Sequence, residues 1–305
     1  RARSVQAPTA FRLASLSPDA ASPATCWHRS VALDGYTAGL SEPNLGAPSV
    51  VRVGFRNQKV GDFEVIALND GVARRPLAAE LVRNAPLTDV QELLRSQNLP
   101  TDYIDIPFTA FLIVAGKRKE LLDTGFSDNG SPTTGRLMSN LNAAGYKAED
   151  IDTVILSHYH GDHILGVRNK ASQLVYPNAK IMVPSVEHAF WMDDARMAAA
   201  PDAMKGAVQT VRRMLGGLGD DRLIKFEAGT EVVPGVKSVA AYGHTPGHTL
   251  FMVESKGEKF AYLADITNVP QRFARNPDWA VQFDMDAEAA RLTRRKVFDM
   301  IANDR

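Results

Sequence analysis

From about Val50 onward, short apolar runs alternate with segments whose apolar residues recur every three to four positions. Val50–Phe55 and Phe63–Leu68 read as paired strands, with Asn69-Asp70-Gly71 as a turn after them. Asp89–Gln97 has helical spacing. Ile104–Val114 and Lys119–Leu122 read as strands joined at Ala115-Gly116-Lys117, and Pro132–Ala144 reads as a helix closed by Gly145. Ile151–Ser157 is a nearly continuous apolar run, the pattern of a buried strand. Beyond it the pattern predicts a strand at Ala179–Val183 and helices at Val186–Asp193 and Pro201–Leu215. Four short strands follow at Leu223–Phe226, Val236–Ala241, Thr249–Val253 and Lys259–Leu263, and an amphipathic helix spans Asp286–Asp304. Two strand-rich halves, each with helices, predict an α/β fold with sheet packed on sheet and helices outside.

The chemistry begins where the buried strand ends. His158, His160, Asp162 and His163 lie within six positions, and three of the chain's seven histidines are among them. His158 and His160, two apart, share a face of an extended chain. Asp162 and His163 fall on the turn beyond, free to address a neighbouring position. That arrangement suits two metal ions, the first histidine pair on one and Asp162 with His163 on the other. Gly243-His244-Thr245-Pro246-Gly247-His248 follows another strand, and His244 completes a three-histidine set. Asp265, at the end of the Lys259–Leu263 strand region, is placed to bridge both ions. His248 is expected to pack beneath the site, and His28 and His188 are expected to be non-ligands. An ion pair of this kind lowers the pKa of a shared water toward about 7.

Composition narrows the setting. An apolar fraction of 45% and a charged fraction of 23% are ordinary for a globular protein. A formal net charge of zero gives no general attraction to nucleic acid or anionic membrane, and no apolar run approaches the ~20 residues of a membrane span. One cysteine, Cys26, excludes a thiolate-rich site, so any metal is held by nitrogen and oxygen. Residues 1–49, rich in Ala, Ser and Pro, read as an irregular leader or partial targeting segment. Residues 50–305 read as the catalytic domain, in a chain expected to continue beyond both ends. The sequence leaves the compartment open between cytoplasm and periplasm, and a homodimer is allowed.

Asp123-Thr124-Gly125, the His158–His163 motif, Gly243-His244 and Asp265 together resemble the successive motifs of the metallo-β-lactamase superfamily. That resemblance implies an αβ/βα four-layer sandwich with two divalent ions at one edge of its sheets, zinc foremost, with manganese, iron or cobalt as alternatives. It implies that Asp123 orients the ligand loops, with Thr245 and His248 also supporting them. The segments Gly61–Gly71, Tyr176–Ala179 and Gly243–Thr249 resemble the methyl parathion hydrolase-like and lactonase-like members. The activity implied is attack by metal-bound hydroxide on a neutral ester, lactone or phosphotriester, with Asp162 and Asp265 as catalytic carboxylates. A glyoxalase II-type thioester hydrolase and a metal-stabilised non-enzymatic relative are the alternatives. Phe190 and Trp191 are the expected apolar substrate wall. In the resembled enzymes a further histidine completes the second ion's shell. No histidine follows His248, so either that ligand lies beyond Arg305, with the last elements of the fold, or the second ion is weakly held or absent.

Overall fold

Strands that are apolar on both faces need a packed layer on each side, and the central strands of this chain alternate between two such layers. The structure, a computed structural model, describes residues 54–268 and 274–304 together with Gly46 and Pro48. The remainder of the leader 1–49, with Cys26 and His28, and residues 50–53 of the predicted Val50–Phe55 strand lie outside the described residues.

One sheet has seven strands in sequential order: β1 (Phe55–Val60), β2 (Phe63–Pro76), β3 (Tyr103–Ala115), β4 (Arg118–Leu122), β5 (Thr153–Ile155), β6 (Lys180–Pro184) and β7 (Leu223–Phe226). It is antiparallel from β1 to β4 and parallel from β4 to β7. The second sheet has four strands, β8 (Glu231–Val233), β9 (Val236–Ala240), β10 (Thr249–Ser255) and β11 (Glu258–Tyr262), in the order β11-β10-β9-β8. The helices are α1 (Leu87–Ser96), α2 (Leu137–Ala143), α3 (Gly161–Ile164), α4 (Ser185–Met192), α5 (Asp194–Ala199), α6 (Asp202–Leu215) and α7 (Ala287–Asn303).

Period-two alternation distributes the side chains. On β3, Phe111 and Ile113 enter the layer between the sheets, where they meet Phe251 and Val253 of β10 and Phe260 of β11. Leu112 of β3 and Leu121 of β4 face the other way, against Leu137 and Leu141 of α2 and Val208, Val211 and Met214 of α6. On the outer face of the small sheet, Leu250 and Ala261 pack with Val297 and Ile301 of α7. Helix, sheet, sheet and helix thus form four layers, the architecture expected. A further apolar cluster, from Leu77 through α1 to Phe108 and Phe126, builds a cap on the far half of β2 and β3. Among the described residues, no helix is long and apolar enough to cross a membrane.

Three local expectations are corrected, the first being that the strand paired with β2 is Phe55–Val60 rather than Val50–Phe55. Asn69-Asp70-Gly71 is not a turn but a bulge inside β2: Asn69 faces Thr109, Gly71 faces Phe108, and Asp70 is the extra residue. The bulge aims the Asp70 carboxylate at backbone donors, Phe126 N at 2.8 Å and Leu137 N at 2.9 Å. It thereby anchors the segment after Asp123 and the start of α2. The predicted Val186–Asp193 helix also ends one residue early, because the Asp193 side chain caps α5 by accepting from Arg196 N at 3.0 Å.

Candidate metal centre

Four strands deliver their C-terminal ends to the same edge of the sandwich. Asp123 follows β4, His158 lies three residues past β5, His244 four past β9, and Asp265 three past β11. Two of these strands belong to each sheet, so the site lies where the sheets meet. Two of the arriving backbones adopt conformations unusual for a side-chain-bearing residue: Asp123 has φ +60° and Ala264, just before Asp265, has φ +47°. Such residues cost of order 1–3 kcal/mol each and persist where their surroundings fix them. Gly243 has φ +124°, and a Cβ there would stand 2.1 Å from Ala290 N, so the start of α7 packs directly on the His244 loop.

Two groups of buried donors result, each with its ligand-type atoms within 4.8 Å of one another. One is His158, His160 and His244; the other is His158, His163 and Asp265. In the first, His160 Nδ1 lies 3.1 Å from His158 Nε2 and 2.9 Å from His244 Nε2. Around a tetrahedral zinc at 2.0–2.1 Å, nitrogen donors stand about 3.3 Å apart, so the set fits a small divalent ion. Asp265 reaches both groups: its Oδ1 is 3.2 Å from His163 Nε2 and its Oδ2 is 3.3 Å from His244 Nε2. One carboxylate therefore spans the two positions, as a bridging ligand must.

The ring orientations are fixed from behind. Asp123 accepts from Ser157 N at 2.8 Å, Ser157 Oγ at 2.7 Å, His163 Nδ1 at 2.5 Å and Tyr262 Oη at 2.5 Å. Because the Ser157 hydroxyl donates to Asp123, its lone pair can accept from His158 Nδ1 at 3.0 Å. Both His158 and His163 are thus held as the tautomer that turns Nε2 inward. His244 is held likewise by Asp284, whose Oδ1 accepts from Nδ1 at 2.9 Å. Arg294, itself buried, contacts Asp284 Oδ2 at 3.3 Å and donates to the carbonyls of Ile266, Pro277 and Trp279. That guanidinium links the support of His244 to the turn that carries Asp265.

The electrostatics favour a cation. Burial first, and then the neighbouring imidazoles, hold His158 and His160 well below the usual histidine range, so their inward nitrogens are neutral donors. Burial would lower His244 too, but Asp265 and Asp284 outweigh it and raise the group to about 9. Burial opposes ionisation of Asp265, yet His163 and His244 hold its carboxyl well below the usual range. The neutral His158 and His160 nitrogens beside a firmly ionised Asp265 are the donor chemistry of a divalent metal, and His244 joins them by releasing its proton.

The remaining predicted residues fall as follows. Asp162 is buried on α3 beside the second group, its Oδ1 3.7 Å from His163 Nε2, but it belongs to neither donor group among the described residues. His248 uses both ring nitrogens on backbone: Nδ1 donates to Ala241 O and Nε2 accepts from Asp265 N, each at 3.0 Å. It pins the turn that presents Asp265. Thr245 donates its hydroxyl to Glu187 at 2.8 Å. His188 lies outside both groups and pairs with the Tyr159 hydroxyl at 2.9 Å. Trp191 is not a pocket wall: it is 2% exposed, packs in the core beneath the large sheet and donates its indole N–H to Glu187. Phe190 packs against that same core, with the Arg196 guanidinium 4.6 Å over its ring. The helical spacing around Trp191 is that of core packing, not of a pocket. Sequence reasoning missed Ser157, Glu187, Tyr262, Asp284 and Arg294. Only Ser157, adjacent to the histidine motif, carried a local signal.

The family model of the metallo-beta-lactamase superfamily matches residues 107–304. An N-acyl homoserine lactonase of Bacillus sp. is 25% identical over 217 residues, which cover 65% of this chain and 78% of the lactonase. Among solved structures, AidC, a dizinc quorum-quenching lactonase in complex with a homoserine product, superposes with a TM-score of 0.77 at 28% identity over 82% of this chain and 87% of its own. The hydrolase AbOPH, described as in the beta-lactamase superfamily, also gives 0.77 at 28% identity, over 83% of this chain and 88% of its own.

Proposed function

The chain belongs to the metallo-beta-lactamase superfamily, and from that premise we propose that it is a two-metal hydrolase of a small neutral ester, a lactone foremost. The observation that carries the proposal is Asp265, one carboxylate whose two oxygens address the two donor groups. The lactonase relatives favour a lactone over other neutral esters.

His158, His160 and His244 would hold one ion, and His163 with Asp265 the other, with Asp162 beside them; zinc suits this set of nitrogen and oxygen donors best. Two ions held there would supply a Lewis acid for the electrophilic oxygen and a nucleophilic water at neutral pH. The chain's own residues supply orientation and proton handling. Asp284 and Asp123 fix which ring nitrogen faces inward. Asp162, beside the second group, would take a proton from the attacking water and return it to the leaving alkoxide, with Asp265 committed to the two donor groups.

An apolar wall for the substrate is better assigned to the cap than to Phe190 and Trp191. Leu165 directly follows α3, and Phe283 directly precedes Asp284. Both are half-buried and pack, with Trp279, on the cluster containing Phe126 and Phe108. Residues adjoining the helix that carries Asp162 and His163 and the segment that supports His244 thus present carbon rather than charge, as suits a site for a neutral ester.

The test is a substrate panel on the full-length protein: acyl lactones of several chain lengths, a paraoxon-type phosphotriester and a glutathione thioester. Lactone turnover that disappears on chelation and returns with zinc, manganese or cobalt is the expected result. Preference for the thioester would transfer the assignment to a glyoxalase II-type activity. Turnover indifferent to chelation would overturn the metal mechanism.

A further inference from the structure

We propose that Glu187 is a positioning residue that holds the two histidine loops of the first donor group in register with each other. The proposal rests on the metal-centre reading above and adds to it a residue that touches no ligand atom of that centre.

Glu187 lies on α4 and is fully buried. Its Oε1 accepts from Tyr159 N at 3.0 Å and from the indole N–H of Trp191 at 2.8 Å. Its Oε2 accepts from Thr245 Oγ1 at 2.8 Å and Gly247 N at 2.7 Å. Tyr159 sits between His158 and His160, while Thr245 and Gly247 follow His244. Each carboxylate oxygen therefore serves one of the two loops, which come from opposite sheets. Contact is equally close at the backbone: a Cβ on Gly247 would stand 2.2 Å from Glu187 N and 2.6 Å from its Cα. The helix and the His244 loop meet with no side chain between them.

Burying a carboxylate is a poor route to stability. Its desolvation is costly, and here burial raises the group's pKa despite four hydrogen bonds. An apolar side chain would fill the space at lower cost but could not align two loops. All four partners are donors, so the position demands acceptors at both ends. Glutamine offers an acceptor at one end and a competing donor at the other, whichever way its amide is turned. It can satisfy one loop only. Aspartate is one methylene shorter and cannot span both.

The experiment compares zinc affinity, by competition with a chromophoric chelator, and the visible absorption of the cobalt-loaded protein. Full-length parent, Glu187→Gln, Thr245→Val and Leu94→Ala are measured well below their unfolding temperatures. Leu94→Ala is the control, a core truncation on α1, a helix that carries no donor of either group. Glu187→Gln should lose about 10–100-fold in affinity for the tighter ion, the range for lost support behind ligands, and should shift the cobalt bands. Thr245→Val should move both readouts in the same direction by less. Leu94→Ala should lower the unfolding temperature and leave both at parental values. If Glu187→Gln does not fold, Thr245→Val against Leu94→Ala decides. Parental affinity and bands in Glu187→Gln, or in Thr245→Val where it decides alone, overturn the proposal and leave Glu187 a core residue. A parent that binds no ion overturns the metal reading first.

Discussion

Asp123 and Asp284 each stand behind an imidazole, yet they are built into the molecule differently. Asp123 accepts four hydrogen bonds, from the β5 end, from His163 and from Tyr262 on β11. It therefore joins the two sheets as well as orienting ligands. Asp284 arrives on an irregular segment between the cap and α7, with His244 and Arg294 as its side-chain partners. Val281, three residues earlier, bridges to Val82 of the cap, and Met285 N donates to His244 O at 3.1 Å. One carboxylate belongs to the fold's central joint, the other to a strap drawn across its edge. The lesson is that two supports with similar roles toward a metal should fail in different ways.

Removing Asp123 should have the largest effect. Asp123→Ala leaves several buried donors without their acceptor, each costing about 1–3 kcal/mol. Against a total stability of about 5–15 kcal/mol, the variant should be largely unfolded or should lose a large part of its urea midpoint. A parental midpoint would show that Asp123 serves the ligands only. Asp284→Asn leaves Arg294 bonded to three carbonyls, so it should destabilise the fold less than Asp123→Ala while weakening zinc binding about 10–100-fold, as read by chelator competition. A collapsed urea midpoint would place it with Asp123 and erase the distinction.

The pH dependence of metal binding sharpens the same contrast. His244 is raised to about 9 by Asp265 and Asp284, so an incoming ion must displace a proton over most of the neutral range. Zinc affinity of the parent should therefore rise with pH until about 9. In Asp284→Asn one of the two raising carboxylates is gone, and the rise should level off at lower pH. Competition titrations between pH 6 and 10, with the buffers' own zinc affinity accounted for, check both halves. A curve flat across that range in the parent would contradict the assignment. Tyr262→Phe, which removes one of the four donors to Asp123, should cost only about 1 kcal/mol in unfolding free energy.

The smallest effect concerns Glu120, buried on β4 away from the metal centre. Burial pushes its carboxyl up to about 7, with Arg118 opposing and Asp152 assisting. The folded pKa lies above the unfolded one, so between about 4.5 and 7 the native state binds the proton that the unfolded chain has released. Stability from this group therefore falls as pH rises through that window and is flat above it. Glu120→Gln should unfold at a higher temperature than the parent at pH 8 and nearly match it at pH 4.5. The reverse order would contradict the sign.

How much of this was legible in the sequence depended on whether a signal was local. Strands such as β3 and β10 announced themselves because both faces are buried, giving continuous apolar runs bounded by turns. The His158–His163 spacing, with His244 and Asp265 at later strand ends, drew attention to residues that the fold brings together. Asp284 and Arg294 were illegible because their partners lie 40 and 28 residues away in sequence, for His244 and Ile266 respectively, with no pattern to mark them. Glu187 is one polar position on a short helix, and nothing local in the sequence marks its four donors. Asp70 was misread as a turn because a bulge and a turn favour the same residues, and only the register against β3 separates them. Trp191 was misread because an aromatic on an amphipathic helix carries no label for which cavity it faces.

Asp265 is one carboxylate that addresses both donor groups, and the proposed function requires it to join two metal positions. The most direct measurement is the divalent metal content of the full-length protein and of Asp265→Ala after dialysis against micromolar zinc, by elemental analysis. The parent should hold about two ions per chain and the variant about one or fewer, with His158, His160 and His244 able to retain a single ion. A parent that holds no zinc, or an Asp265→Ala protein that keeps both ions, would contradict it.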